Sequence, residues 1–263
     1  MIVPTMTLEE IFKTVQVDLV PVTRKLSEFV RQFGKAALKI NKFPFKRKYE
    51  WKNYKSNITY TIYLECYKRS QWDNPRFSIV TSYMHDGGLT TLQIDPTFEV
   101  SVYMYTAHFW SRFRERYIKD SSKSLQEIID FFFFQMGQFI ESHEVMRIDY
   151  ERYQVNEDTD FVAIVTSLGV FYCERLKENN HFTIVNTYLS YDMLRQEQNR
   201  NICTEYLCVH MEDYVIQHPN SKTEVDKVIE EFCTTADSEG WPTDKFFREG
   251  GKLMEKYPLY LEA

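Results

Sequence analysis

Residues 57–105 read NITYTIYLECYKRSQWDNPRFSIVTSYMHDGGLTTLQIDPTFEVSVYMY. Four runs in this stretch are rich in β-branched and aromatic residues: NITYTIYLECY (57–67), RFSIVTSYM (76–84), LTTLQI (89–94) and FEVSVYMY (98–105). Side chains of this kind suit a pleated, half-buried surface, and their alternation predicts strands. Asp73-Asn74-Pro75, Asp86-Gly87-Gly88 and Asp95-Pro96 separate the runs with turn chemistry. Connections this short allow only antiparallel neighbours, so the stretch predicts a β-meander.

Outward from the meander the period changes to that of helix. On the N-terminal side, Thr7-Leu-Glu-Glu10 has the form of a capping box, followed by Leu8, Ile11, Phe12, Val15 and Leu19 at helical spacing. Pro21 predicts an interruption, and Leu26, Phe29, Val30, Phe33 and Ala37 carry a second helical pattern that ends near Pro44. On the C-terminal side, helix is expected from Thr106 to about Ile118. A second capping box, Ser124-Leu-Gln-Glu127, predicts a buried helix over the apolar run Ile128 to Ile140. DFVAIVTS (160–167), VFYCERL (170–176) and FTIVNTYLS (182–190) then predict a three-stranded antiparallel sheet. Beyond Tyr191 the pattern is helical, with breaks at Asn199–Asn201, Pro219 and Gly240-Trp241-Pro242.

The expected fold class is therefore α+β. An antiparallel β-meander and a three-stranded antiparallel sheet surround central helices, between helical N- and C-terminal segments. One compact domain over 1–263 is the expectation, with a possible subdivision into 1–42, 43–192 and 193–263.

Bulk composition bounds the function. Of 263 residues 43% are hydrophobic, enough for a sizeable core, and 8 Gly with 8 Pro exclude a linker-rich or fibrous chain. The net charge of −6 excludes a global basic field, so an RNA partner would need a local basic patch. The five cysteines, an odd number at low density, suggest a reducing compartment and a cytoplasmic, soluble protein. The N-terminus lacks a basic segment followed by an apolar run, and no stretch reaches the ~20 apolar residues of a membrane span. No membrane partner is expected.

The segment most suggestive of chemistry is Thr106-Ala-His-Phe-Trp-Ser-Arg-Phe-Arg-Glu-Arg-Tyr117. On a helix, Phe109, Trp110, Phe113 and Tyr117 share one arc, while His108, Arg112 and Arg116 form a ridge on another with Ser111 and Glu115. A histidine moves protons near neutral pH, and guanidinium groups bind phosphate and stabilise developing charge. Those parts suffice to cleave a phosphodiester through a neighbouring 2′-hydroxyl, with neither metal nor cofactor. The plainer reading is the solvated face of an amphipathic helix, with Glu115 paired to Arg112 or Arg116.

A His–Arg–Arg helix, a buried helix and then strands ending in Ile184-Val-Asn-Thr-Tyr-Leu-Ser190 is an order that resembles the barnase/EndoU/RelE-like nucleases of toxin and phage type, over residues 104–192. The resemblance implies that His108 is the general acid or base, that Arg112 and Arg116 bind the scissile phosphate, and that Thr187 orients it. Arg175, on the middle strand, would add a second phosphate contact, against its plainer reading as a strand residue facing solvent. A different class of reading is a non-catalytic interaction or immunity-type protein of a bacterial or phage system, favoured by the acidic charge and the aromatic surplus. A nuclease fold retained only for binding is a third.

Other clusters are weaker. Cys203, Cys208 and His210 stand in a Cys-x4-Cys-x-His spacing, but the segment reads as helix and the two cysteines fall on different faces, so packing is expected rather than zinc. His143 lacks an HExxH context and is expected at a helix C-terminus. His85-Asp-Gly-Gly88 predicts a hairpin turn. Glu127, Asp130, Glu141, Glu144, Asp149 and Glu151 read as an acidic surface. No Walker loop, GxGxxG or GxSxG appears in the sequence.

Overall fold

The computed structural model describes residues 2–85, 87–96, 100–135, 139–142, 159–166, 168–176, 179–193, 207–211, 214–215 and 218–256. The helices used below are α1 (Leu8–Ala37), α2 (Ala107–Phe113), α3 (Leu125–Gln135), α4 (Lys222–Ser238) and α5 (Thr243–Glu255). The strands are β1 (Phe45–Asn53), β2 (Ile58–Cys66), β3 (Arg76–His85), β4 (Gly88–Asp95), β5 (Ser101–Tyr105), β6 (Phe139–Ser142), β7 (Thr159–Thr166), β8 (Gly169–Leu176) and β9 (Asn179–Leu189). Among the described residues the strand order is β1-β2-β3-β4-β5-β9-β8-β7-β6.

The α+β class and the meander stand. Neighbours from β1 to β5 are antiparallel, and His85 pairs with Gly88 across a turn in which Gly87 has φ +75°. The expected separate three-stranded sheet is corrected. β9 runs beside β5 in parallel, with Val102 opposite Phe182 and Tyr105 opposite Val185. The later strands therefore extend the meander's sheet. A parallel pair between strands so distant in sequence leaves no hairpin signal to read.

Three further expectations change. Pro21 lies within a single helix, α1, instead of dividing two. The first strand is β1, FKRKYEWKN, whose charges masked its period. The apolar run expected as one helix through Ile140 divides, with α3 ending at Gln135 and residues 139–142 forming β6 against β7.

The chain's contacts group into two units. The first comprises Met1–Phe134, Glu157–Asp160 and Cys173–Thr187. One face of its sheet carries α1, whose buried Ile11, Phe12, Val15, Val22 and Phe33 join Tyr60, Ile62, Leu64, Ile79, Leu92 and Phe182 in one apolar core. Helix and strand lie alongside each other in opposite senses. Phe29 stacks on Tyr49 at 4.7 Å between ring centroids, and Phe33 meets Phe45 at 4.9 Å. A buried polar knot ties the other end. Asp18 accepts hydrogen bonds from Asn53 Nδ2 (2.8 Å), Ser56 Oγ (2.5 Å) and Tyr60 OH (2.8 Å). A buried carboxylate needs such donors, because desolvation without them costs several kcal/mol.

The opposite face carries α2 and α3. Asp130 of α3 accepts from Lys48, from Tyr63 OH (2.7 Å) and from Gln126 (2.9 Å). Burial pushes its carboxyl up, but the bonds from Lys48, Tyr63 and Gln126 outweigh that and hold it below the ordinary value. Lys46 donates to the Phe134 carbonyl at 2.9 Å.

The second unit comprises Gln135–Asn156, Phe161–Tyr172 and Tyr188–Ala263. Ala163, Val165, Val170 and Val209 form its apolar cluster. Thr166 fastens the β7–β8 turn, donating to Gly169 O (2.9 Å) and accepting from Leu168 N and Gly169 N. Phe232 of α4 packs edge-on against Trp241 (5.5 Å) and Phe246 (5.0 Å), which closes the α4–α5 hairpin.

Candidate functional site

The site begins at Thr106, the residue that turns β5 into α2. Its hydroxyl accepts from Phe109 N at 3.1 Å, which caps the helix. The same hydroxyl lies 3.3 Å from Val185 O and 3.2 Å from Asn186 O, sharing its proton between them, and Thr106 N donates to Val185 O at 3.2 Å. One residue thus fixes the start of α2 to the end of β9. Sequence reading missed this role. The Thr-x-x pattern signals a cap, but nothing local signals which carbonyls the hydroxyl also reaches.

Strand alternation places Thr187 on the face that Thr183 and Val185 share. That is the face carrying α2 and α3, since Tyr105, opposite Val185, contacts Phe109 (5.1 Å), Trp110 (5.6 Å) and Phe132 (5.2 Å). Thr187 lies just past the last β5–β9 pair, where α2 departs, and it is half-buried. His108, in the first turn of α2, is exposed. Through Thr106, the first turn of α2, which carries His108, is tied to the strand that carries Thr187.

Arg112, one turn along α2, donates to Glu115 Oε2 at 2.7 Å. This is the ion pair expected of an amphipathic surface, and its partners are 37% and 60% exposed. Arg116 falls in a wider turn, Arg114–Ile118, closed by Lys119 N donating to Arg114 O at 2.9 Å. Such i→i+5 turns are rare and recur at functional sites. In an α-helix, i+8 lies ~80° round from i. The wider turn unwinds the helix and brings Arg116 back toward the His108–Arg112 row. Lys119, at φ 53°, then ends the helix.

Arg175 is half-buried, and its Nε donates to Thr183 Oγ1 at 3.2 Å. That bond puts it on the face that Thr183 and Thr187 share, about two residue pairs from Thr187 along the strand.

The floor beneath α2 is aromatic. Phe109, Trp110 and Phe113 are buried against Phe132 and Phe133, with Trp110 edge-on to Phe132 at 5.2 Å. Trp110 Nε1 is buried with no hydrogen-bond acceptor among the described residues. On the other side, a Cβ built on Gly88 would stand 2.3 Å from Ala107 Cβ. The β3–β4 hairpin therefore meets α2 one residue before His108.

The remaining expectations fall as follows. Glu127 accepts from Ser124 N (2.7 Å) and completes the expected capping box. His210 and Cys208 lie in the helical residues 207–211, where burial pushes the His210 imidazole down to about 4. Cys203, His143, Asp86, Glu144, Asp149 and Glu151 lie outside the described residues. Among the described residues no group of His, Cys, Asp and Glu is placed to hold a metal ion. None of the described helices is long and apolar enough to cross a membrane. No family model, curated protein or solved structure matches this chain.

Proposed function

We propose that the chain is a metal-independent, nuclease-like enzyme that cleaves RNA through the 2′-hydroxyl next to the scissile phosphate. The observation that carries this reading is Thr106. By capping α2 while holding the carbonyls of Val185 and Asn186, it ties the start of the helix that carries His108 to the strand that carries Thr187. In the reaction the 2′-oxygen bonds to phosphorus and the P–O5′ bond breaks. One proton leaves the 2′-oxygen and one reaches the 5′-oxygen, and His108 carries one of these transfers as general acid or base. Arg112 and Arg116 neutralise the charge on the non-bridging oxygens, Thr187 orients the phosphate, and Arg175 adds a contact from the sheet. Resemblance to the barnase/EndoU/RelE-like group supports the same roles.

The test is cleavage of labelled single-stranded RNA with EDTA present, comparing wild type with His108→Ala. Cleavage lost in the variant, with its circular dichroism unchanged, supports the reading; equal cleavage by both contradicts it.

A second reading, an interaction or immunity-type protein, is favoured by Val17 and Val20, which stand 78% and 67% exposed on α1. It predicts a stable complex that Val17→Lys with Val20→Lys would dissolve in size-exclusion chromatography of the complex.

A further inference from the structure

The net charge of −6 conceals an uneven distribution. Residues 24–55 hold eleven Lys and Arg against two Glu, a local net of +9. The fold concentrates these residues. Eight of the eleven lie in the second half of α1 or in β1, which lie side by side through the Phe29–Tyr49 and Phe33–Phe45 contacts, and Lys39, Lys42 and Lys55 lie in the adjoining connections. β1 is also the terminal strand of its sheet. Arg31, Lys35 and Lys39 are exposed on the α1 side of this corner, and Arg47, Lys52 and Lys55 on the β1 side.

Among the described residues none of these six is within ion-pair distance of a carboxylate. Some exposed lysines elsewhere are ion-paired, as in Lys13–Glu9 (2.6 Å), Lys227–Glu231 (3.8 Å) and Lys252–Glu249 (2.9 Å). Charges on an edge strand guard it against pairing with other chains. That role accounts for the lysines of β1. It does not account for the same sign continuing onto a helix, where like charges repel one another at some cost to stability.

An exposed aromatic accompanies the charge. Tyr54, in the turn after β1, is 86% exposed, and Lys52 Nζ lies 5.9 Å from its ring. Lys46 and Lys48 of β1 are ion-paired with Glu65 (3.3 Å) and Asp130, which leaves Arg47 and Lys52 as the open cations of the strand, beside Lys55 and the α1-side residues. Open cations along a strand edge, with an exposed ring at its end, are the combination that holds a single nucleic-acid strand. The lysines and arginines follow the phosphates and the ring stacks on a base.

We propose that the α1–β1 corner is a binding surface for the backbone of single-stranded nucleic acid, with Tyr54 as a stacking platform. The surface is carried by the charge distribution and does not depend on chemistry at His108. Val17 and Val20 stand exposed on either side of Asp18, which bonds Asn53 and Ser56 next to Tyr54, so an anionic membrane is the competing occupant that the vesicle arm of the test separates.

The test is fluorescence anisotropy of the full chain with a labelled 20-nucleotide single-stranded DNA, titrated at several salt concentrations. DNA lacks the 2′-hydroxyl, so binding is read even if cleavage is absent, and the two proposals fail separately. The expected wild-type Kd is on the order of 1–100 µM, weakening steeply with salt. Arg47→Glu/Lys52→Glu/Lys55→Glu is expected to weaken binding at least ~10-fold and to flatten the salt slope by about 2. Tyr54→Ala weakens it with the slope unchanged. Lys222→Glu/Lys227→Glu, on α4, leaves binding as in wild type. The proposal is overturned by absence of binding at low salt, by equal losses in the two charge-reversed variants, or by binding to phosphatidylserine vesicles without binding to the oligonucleotide.

Discussion

At the scale of single residues, two buried polar groups set measurable stabilities. Asp18 holds three donors from the β1–β2 region, two of them side chains that are themselves buried. Asp18→Ala leaves these donors without an acceptor and is expected to destabilise the protein by ~3 kcal/mol in urea unfolding. A change below about 1 kcal/mol would mean that water replaces the carboxylate. His210 acts through pH. Burial holds its imidazole neutral down to about 4, against an ordinary value near 6.5. Between those values the unfolded chain binds the extra proton, so stability rises with pH across the window from 4 to 6.5. It is fully present above 6.5 and lost as pH falls through 4. His210→Gln should flatten this rise, as read from urea midpoints at pH 4.5 and 7.

At the scale of elements, α2 separates structure from chemistry. The Arg112–Glu115 pair is exposed and one helical turn long, so it contributes only a few tenths of a kcal/mol. Arg112→Ala is therefore expected to change stability by less than ~0.5 kcal/mol. If the arginine meets phosphate, the same variant should lose on the order of 100-fold in cleavage, as losing a charge-stabilising donor does. Proportionate small effects on both would leave Arg112 a surface residue. Gly88 bears on the same helix from outside. Gly88→Val must push Ala107 away, and should lower cleavage while the β-meander persists by circular dichroism.

The elements also show what a sequence exposes and what it hides. Both capping boxes, Thr7–Glu10 and Ser124–Glu127, formed as read, since a cap is a matter of four consecutive residues. The β3–β4 hairpin followed from Asp-Gly-Gly for the same reason. Pro21 misled, because the proline signal does not reveal that Leu19, Val22 and Leu26 continue one apolar face against the sheet. β1 was hidden by its lysines, which suit an edge and blur alternation. The parallel β5–β9 pair was hidden because residues 102–105 and 182–185 share no turn.

For the whole molecule, the candidate site was legible in residue types and illegible in arrangement. The spacing of His108, Arg112 and Arg116 named the helix. Only the fold shows that Thr106 joins its start to the strand bearing Thr187, and that Arg116 falls in a wider turn. The basic corner was obscured by a whole-chain charge of −6, an average of two opposite regions. Both features lie in the first unit, and cleavage and binding there make separable demands. Reversing charge at β1 should raise KM for RNA with kcat little changed, whereas His108→Ala should lower kcat with binding intact.

The most direct test of the central claim is the chemistry of the product ends. Attack by the 2′-hydroxyl forms a cyclic ester, so mass spectrometry of RNA cleaved in EDTA should show 2′,3′-cyclic phosphate and 5′-hydroxyl ends, absent with His108→Ala. RNA methylated at every 2′-oxygen should remain whole. Products with 5′-phosphate ends, or cleavage of the methylated strand, would contradict the account.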